Sequence, residues 1–232
     1  MRLHRFYINQ KIQGDKLRID DSELLNQWGK VFRLKAGDKA IIFDGSGFEY
    51  EAEFELLTKK EVVLKVGESK AVRDSKISLH IFQSIIKKDN FELIVQKCTE
   101  IGATAFHPII SERSEKKDLN TERLQKIAKE ASEQSGKGKL PEVFEPTRLE
   151  NAIENFDGEL LLLDFNGDRL DPHVREDDRG GKIGILIGPE GGWSDKEKEY
   201  FKQKGIKAVS LGAPVLRAET AAIAVSALIL LN

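Results

Sequence analysis

The chain has 232 residues and carries 37 Lys and Arg against 39 Asp and Glu, a formal net charge of −2. Such a balance is more typical of a small-molecule enzyme than of a protein that coats nucleic acid, although a local basic patch is compatible with it. A single Cys excludes an intramolecular disulfide framework and a multi-cysteine zinc site. The longest apolar stretch, 221–231, is too short for a transmembrane helix, which needs about 20 residues. We therefore expect a soluble, cytoplasmic protein.

The first seventy or so residues are typical of a small β domain. Residues 39–44 and 48–54 flank a Gly-Ser-Gly turn, and the second run alternates apolar residues with carboxylates. This period of two predicts a half-buried strand, and the turn predicts a hairpin. Residues 61–66 predict a third strand and residues 20–28 a short helix. We predict a small β-barrel over residues 1–72.

The remainder of the chain alternates between strand and helix patterns. A polar stretch, 70–75, is the predicted linker to a second domain over residues 74–232. Strands are predicted at 77–83, 104–110, 159–164, 182–187 and 208–211, and helices at 89–101, 121–135, 194–205 and 217–231. In the first helix Asp89 is the predicted N-cap and Gly102 the stop. This alternation predicts an α/β domain with a mostly parallel sheet.

Several common chemistries find no support in the sequence. Gly45-x-Gly47 lacks the third glycine of a dinucleotide fingerprint, and Gly136-Lys137 lacks the first glycine of a P-loop. The four histidines show no metal-ligand spacing, so no metal is expected. The lone Cys98 lies on the apolar face of its predicted helix, which favours a core residue over a nucleophile.

Two glycine-containing loops follow predicted strands and lead into helices. The first joins Ile187 to a capping box formed by Ser194 and Glu197, through Gly188-Pro189-Glu190-Gly191-Gly192. Ligands of open α/β sheets bind at such strand ends, and glycines let the backbone approach them closely. Because the loop has no phosphate-binding Lys, a cationic or neutral cofactor fits it better than a polyanion. A turn that binds nothing remains an alternative.

The second loop places two charges at the start of an apolar helix. It runs from Leu211-Gly212 through Leu216-Arg217 to Glu219-Thr220. The helix dipole favours Glu219 in the first turn but disfavours Arg217, which predicts another partner for the arginine. A charged pair at the mouth of adjacent strand–helix loops is a candidate site.

These two motifs together resemble the SPOUT methyltransferases, and among them the ribosomal RNA small subunit methyltransferase E family. Two further stretches share the resemblance: residues 96–102 leading to Pro108 and 111–114, and residues 130–136 leading to Pro141. The resemblance spans essentially the whole chain, with a looser match to a PUA-like RNA-binding domain at the N-terminus.

The resemblance implies a deep trefoil knot, a homodimer, and S-adenosyl-L-methionine as cofactor. The implied reaction is methylation of N3 of one uridine in 16S ribosomal RNA, near the decoding centre. The implied cofactor-binding residues are Ile187, Gly188, Pro189, Glu190, Gly191, Gly192, Leu211, Gly212, Leu216, Arg217 and Thr220. Within this assignment Arg217 is expected to stabilise a uridinate, and Glu219 or Glu190 to accept its proton.

The RNA contacts are predicted from basic residues. The candidates are Arg2, His4, Arg5 and Arg33 in the first domain, and Lys97, Arg113 and Lys137 in the second. Trp193 is expected to pack against the start of its helix rather than to stack on a base. Two alternatives stay open: an RNA methyltransferase of other specificity, such as ribose 2′-O, and a non-enzymatic RNA-binding factor of ribosome assembly.

Overall fold

The computed structural model describes residues 3–114, 119–170, 181–212 and 214–231. The chain divides into two compact units. The first comprises Met1–Asp74 together with Gly136–Lys139, and the second comprises Ser75–Ser135 and Leu140–Asn232. Within the first unit, the Gly47 amide donates to the carbonyl of Gly138 at 3.2 Å. Nothing in the local sequence pattern signals that residues 136–139 belong with the first unit.

The first unit is built around a mixed five-stranded sheet. Its elements are β1 (Arg5–Tyr7), β2 (Lys16–Ile19), α1 (Ser22–Asn26), a π-helical turn (Gln27–Val31), β3 (Lys39–Phe43), β4 (Phe48–Leu57) and β5 (Val62–Ala71). The strand order is β1-β3-β4-β5-β2, with β1 parallel to β3 and the other pairs antiparallel. Trp28 is fully buried in the core of this unit. A period of two is weak in strands of three or four residues, so β1 and β2 were not predicted.

Two boundaries in this unit differ from prediction. The helix expected over 20–28 ends its α-helical part at Asn26, and Asp21 caps it by accepting from the amides of Glu23 and Leu24. The β3–β4 hairpin is confirmed. The predicted linker, 70–75, overlaps the end of β5, because that strand continues to Ala71, which pairs with Phe48 of β4.

The second unit contains a parallel sheet flanked by helices. Its elements are β6 (Ser78–Ser84), α2 (Lys88–Ile101), β7 (Ala105–Ile110), α3 (Thr121–Ser135), β8 (Glu142–Val143), β9 (Thr147–Arg148), α4 (Leu149–Glu154), β10 (Glu159–Arg169), β11 (Lys182–Ile187), α5 (Asp195–Gln203), β12 (Lys207–Ser210) and α6 (Ala218–Leu230). The strand order is β12-β10-β11-β6-β7-β8, and β9 also pairs with β7. Every one of these pairs is parallel, which confirms the predicted α/β class.

The helix ends of this unit correct one prediction. Asp89 is not the N-cap of α2; that position belongs to Lys87, which makes no side-chain capping bond, and Asp89 lies in the first turn. Gly102 ends the helix as expected, with φ of 125°. The short elements β8, β9 and α4 were not predicted, because they are too short to show a period.

The interior of the second unit accounts for the single cysteine of the sequence. Cys98 is fully buried, and burial raises the pKa of its thiol to about 12, so it is a core residue.

No group of three or more potential metal-ligating His, Cys, Asp or Glu occurs among the residues that the structure describes. Within those same residues, no helix has both the length and the apolar character needed to cross a membrane.

Two histidines, the buried His80 and the half-buried His107, form a pair between β6 and β7. His80 Nδ1 and His107 Nε2 share a hydrogen bond of 2.9 Å, and the His107 ring stacks between Phe82 and Phe144. Burial lowers the pKa of His80 to about 4, helped by the charge of Lys182. Burial also lowers the pKa of His107 to about 3, helped by His80 and then by Lys182. Both rings are therefore neutral at neutral pH.

This pair predicts a loss of stability in weak acid. The unfolded state binds protons on these rings below about pH 6.5, whereas the folded state resists until pH 4 to 3. Stability is thus fully present above pH 6.5 and falls as the pH drops towards 3, by up to about 1.4 kcal/mol per pH unit for each histidine. Denaturant unfolding at pH 7, 6 and 5 measures this slope.

The variant His107→Phe should flatten the slope, because phenylalanine fits the same ring stack and does not titrate. The matched control is His4→Gln, since His4 is exposed. An unchanged slope in His107→Phe would show that other groups cause the acid sensitivity.

Candidate functional site

The first glycine loop connects β11 to α5 at the carboxyl edge of the sheet. Gly192 adopts a φ of 67°, which favours glycine, and its amide donates to Pro189 at 2.8 Å. The predicted capping box is present: the Glu197 amide donates to Ser194 Oγ, and Ser194 N–H donates to Glu197 Oε2 at 2.7 Å. The turn and the capping box therefore fix the end of the loop that enters α5.

Glu197 has a second partner that the sequence did not reveal. Its Oε1 accepts from the amide of Glu112 at 2.9 Å, so one buried carboxylate joins α5 to the loop after β7. The S-x-x-E pattern predicts a cap but carries no information about a partner 85 residues away.

Trp193 fixes the identity of residue 188. Its indole is buried and packs edge-on against Phe201, which confirms the expected packing role. A Cβ at Gly188 would lie 3.1 Å from Trp193 Nε1 and 3.3 Å from Cδ1. Only glycine fits there without moving the indole.

The second glycine loop leads from β12 to α6. The Gly212 amide donates to Ser210 Oγ at 3.0 Å, and Gly212 has a φ of 87°. Arg217 occupies the N-cap position of α6 but makes no side-chain capping bond. Because β12, β10 and β11 are neighbours in a parallel sheet, their carboxyl ends bring both loops to one edge.

A cavity of about 460 Å³ lies between these loops. Nine of the predicted cofactor residues line it: Ile187, Gly188, Pro189, Glu190, Gly192, Leu211, Gly212, Leu216 and Arg217. Gly191 and Thr220 do not line it, so the structure places these two predicted residues outside the cavity wall. Gly191 instead lies against Arg113, and Thr220 is exposed on α6.

Sequence reasoning missed one wall of the cavity. The middle of β10 contributes Leu163, Asp164 and Phe165, and α5 contributes Lys198. Phe165 is exposed at this wall. The adjacency of β10 and β11 places the β10 residues at the cavity, and no local pattern in the sequence specifies that adjacency.

The two charges of the second loop are separated, contrary to expectation. Arg217 is exposed, lines the cavity and forms no ion pair within the described part of the chain. Glu219 is buried and does not line the cavity, and its Oε2 has no hydrogen-bond partner among the described residues. The predicted charged pair is therefore not formed: the side chains of an N-cap residue and of a residue in the first turn leave the helix in different directions. Glu190, by contrast, is exposed and lines the cavity.

The predicted RNA contacts fall into different environments. Arg2 lies outside the described residues. The structure corrects the prediction that Arg5 contacts RNA. Its guanidinium is almost buried, pairs with Glu49 and donates to the carbonyl oxygen of Lys137 at 3.3 Å, so Arg5 has a structural role. His4 and Arg33 are exposed in the first unit, and the side chain of Lys137 is half-buried there. In the second unit Lys97 pairs with Glu100 at 2.8 Å, and Arg113 is exposed.

The residues of the cavity fit a nucleoside cofactor with a cationic side chain. Apolar walls from Ile187, Leu211 and Leu216 suit an adenine ring, and the glycine backbones offer close polar edges. Two buried polar atoms beside Gly188, Trp193 Nε1 and Gln83 Oε1, have no partner among the described residues. The lining also contains the carboxylates of Asp164 and Glu190, which suit the positive charge of such a cofactor.

Filling the space at Gly188 should impair the cavity. Gly188→Ala forces the buried Trp193 to shift by a few tenths of an ångström, so we expect a loss of about 1–3 kcal/mol in stability. Affinity for S-adenosylmethionine should fall as well, because Gly188 lines the cavity. The matched control is Gly181→Ala, which lies directly before β11 as Gly188 lies directly after it, and where a Cβ meets nothing within 4 Å. Calorimetric titration and thermal unfolding of both variants check this; equal values would contradict the packing argument.

Comparison with known proteins agrees with this arrangement. Residues 73–230 match the model of the RNA methyltransferase domain, and residues 29–67 match that of the RNA methyltransferase PUA domain. The chain is thus an RNA methyltransferase-type protein with an attached PUA domain.

Relatives of this class narrow the assignment. A ribosomal RNA small subunit methyltransferase E of Helicobacter pylori (strain J99) is 32% identical over 97% of this chain and 98% of its own length. That of Synechocystis is 33% identical over 83% of this chain, which covers 65% of that relative's length. The crystal structure of the Neisseria gonorrhoeae enzyme bound to S-adenosyl methionine is 28% identical, covers 97% of this chain and 96% of its own, and superposes with a TM-score of 0.86. The chain belongs to the ribosomal RNA small subunit methyltransferase E family.

Proposed function

We propose that the protein transfers a methyl group from S-adenosylmethionine to N3 of one uridine in 16S ribosomal RNA. The observation that carries the proposal is that Arg217 and Glu190, from the two glycine loops, border one apolar-walled cavity. The names of the relatives support the substrate class, and two similar structures contain the cofactor: the Neisseria enzyme and a Legionella pneumophila protein with a TM-score of 0.87 and 27% identity. When bound, S-adenosylmethionine supplies an electrophilic methyl group.

The nine lining residues named above are the proposed cofactor contacts. Their backbone amides and carbonyls would hold the adenine and ribose edges, while Ile187, Leu211 and Leu216 exclude water from the adenine face. No metal ligand and no covalent nucleophile is required of the chain for this chemistry.

The reaction requires N3 of uridine to lose its proton. The resulting negative charge is shared with the neighbouring carbonyl oxygens of the base. Arg217, exposed and unpaired within the described residues, supplies a free guanidinium that stabilises this charge. Of the two candidate bases we favour Glu190, because it lines the cavity whereas Glu219 is buried outside its wall.

The same proposal includes a homodimer. Apart from Glu219, Thr220 and Ser226, every residue of the helix α6 is apolar, which is typical of a helix that is buried all round. One face packs into the core, but Ile223, Ala224, Ala227 and Leu228 remain only half-buried, and Leu231 is exposed. A second copy covering this face would complete its burial. Sedimentation of the wild type and of Leu228→Lys tests this assignment.

We further propose a trefoil knot around the cavity, closure of the five-stranded sheet into a barrel, and a cytoplasmic location, where ribosomal subunits assemble. The first unit, whose predicted bounds are 1–72, is the proposed RNA-binding domain, and the second, predicted as 74–232, is the catalytic domain. His4, Arg33 and Lys137 in the first unit, with Lys97 and Arg113 in the second, remain the proposed RNA contacts. Arg2 stays a prediction.

Mass spectrometry of small-subunit RNA tests the reaction. Unmethylated 30S subunits and naked 16S RNA are incubated with the protein and cofactor, and nucleosides and RNase fragments are then analysed. We expect one added methyl on N3 of one uridine. A ribose 2′-O-methyl would indicate the alternative specificity. Absence of both methylation and calorimetric cofactor binding would support a non-enzymatic assembly factor.

A further inference from the structure

The loop after β7 holds the first glycine loop from outside the cavity. Residues 111–114 contact this loop and the first turn of α5: Arg113 Nη1 donates to the carbonyl of Gly191 at 2.9 Å, and the Glu112 amide donates to Glu197 Oε1 at 2.9 Å. A Cβ at Gly191 would lie 3.7 Å from Arg113 Cδ. The arginine side chain therefore lies along the backbone of the loop.

The contact at Gly191 reaches the cavity through one peptide group. Gly191 directly follows Glu190, and the amide of Gly192 closes the turn onto Pro189. Because Glu190 and Gly192 line the cavity on either side of Gly191, fixing the Gly191 carbonyl restricts the backbone at both. Arg113 itself does not line the cavity, so it acts on the cofactor through the loop.

Most N–H groups of the Arg113 guanidinium donate no hydrogen bond to the described residues. Arginine carries five N–H groups, and one of them is used for Gly191. The residue is exposed and forms no ion pair among the described residues. An exposed guanidinium with several free donors suits bidentate binding of a phosphate.

We propose that Arg113 is a positioning residue for the Gly188–Gly192 loop and, at the same time, a contact for an RNA phosphate. The two roles share one side chain, so RNA and cofactor binding are coupled. A phosphate on the outer N–H groups restricts the guanidinium, which in turn holds the Gly191 carbonyl. By linkage, RNA strengthens cofactor binding and the cofactor strengthens RNA binding by the same factor. The RNA part of this inference rests on the proposed function.

The positioning role is tested without RNA. Titration calorimetry measures S-adenosylmethionine affinity for the wild type, Arg113→Ala, Arg113→Lys and Lys196→Ala. We expect Arg113→Ala to weaken binding about tenfold, or about 1.4 kcal/mol, and Arg113→Lys, which keeps one donor position, to lie between. Lys196→Ala removes an exposed cation from the first turn of α5 and should match the wild type. Wild-type affinity in Arg113→Ala would overturn the proposal.

The coupling is tested with a 16S RNA transcript. S-adenosylhomocysteine replaces the cofactor so that no turnover occurs, and its affinity is measured with and without saturating transcript. We expect tightening of about fivefold or more in the wild type and in Lys196→Ala, and none in Arg113→Ala. Equal tightening in Arg113→Ala would overturn the coupling.

The two proposals fail in distinguishable ways. Weak cofactor binding by Arg113→Ala, together with no methylation of either 30S subunits or naked 16S RNA by the wild type, would retain the positioning role and reject the proposed reaction. Methylation by the wild type together with normal cofactor affinity in Arg113→Ala would do the reverse.

Discussion

Replacing Arg217 with alanine should lower kcat for RNA methylation by about 10²–10³-fold, the loss measured when one group that stabilises a developing negative charge is removed. The affinity for S-adenosylmethionine should stay within about threefold, or less than 1 kcal/mol. The reason is geometric: Arg217 is an exposed N-cap residue with no ion pair among the described residues, so its removal leaves no buried group unpaired. Single-turnover methylation and calorimetry on the same preparation measure both quantities.

Arg217→Lys is the matched variant for charge. It keeps the positive charge but loses the planar fork, so its rate should lie between those of the wild type and Arg217→Ala. Thermal unfolding controls for folding. Full methylation by Arg217→Ala would remove the arginine from the chemistry, and a collapse of cofactor affinity would make cofactor binding, rather than charge stabilisation, its main role.

Replacing Glu190 with glutamine should lower kcat by about 10²–10⁴-fold, the contribution typical of a positioned general base. Glutamine keeps the size and the hydrogen-bonding capacity of the side chain but cannot accept the proton of N3. The loss should shrink as the pH rises, because more of the uridine is then already deprotonated. Methylation rates from pH 6 to 9.5 give this profile.

Glu219→Gln is the comparison that separates the two candidate bases. Glu219 is buried, lies outside the cavity wall and has no partner for its Oε2 among the residues that the structure describes, so its amide variant should methylate at a rate close to the wild type. If Glu219→Gln loses activity with a pH-dependent deficit and Glu190→Gln does not, the base is Glu219.

Local patterns predicted most of the second unit. The apolar run of β11, the capping box of α5 and the glycine at the end of α2 each act within one turn or one strand, and all three are confirmed. Local pattern did not predict β1, β2, β8 and β9, which span two to four residues each. The preference for Asp at the N-cap wrongly predicted Asp89 as the cap of α2, where Lys87 stands. Asp89 lies in the first turn instead, where an acidic residue stabilises a helix without capping it.

The sequence by itself determined the class of the protein, the two glycine loops, and the two candidates for the general base, Glu190 and Glu219. These features reside in contiguous residues, where glycine, proline and charge have direct conformational and chemical consequences. Only the tertiary structure decided that Arg217 lines the cavity while Glu219 is buried outside it. The same holds for the ion pair between Arg5 and Glu49 and for the hydrogen bond from Arg113 to the carbonyl of Gly191. The Arg5 and Arg113 contacts join groups 44 and 78 residues apart, and their partners are set by strand order and helix direction, which no local pattern encodes.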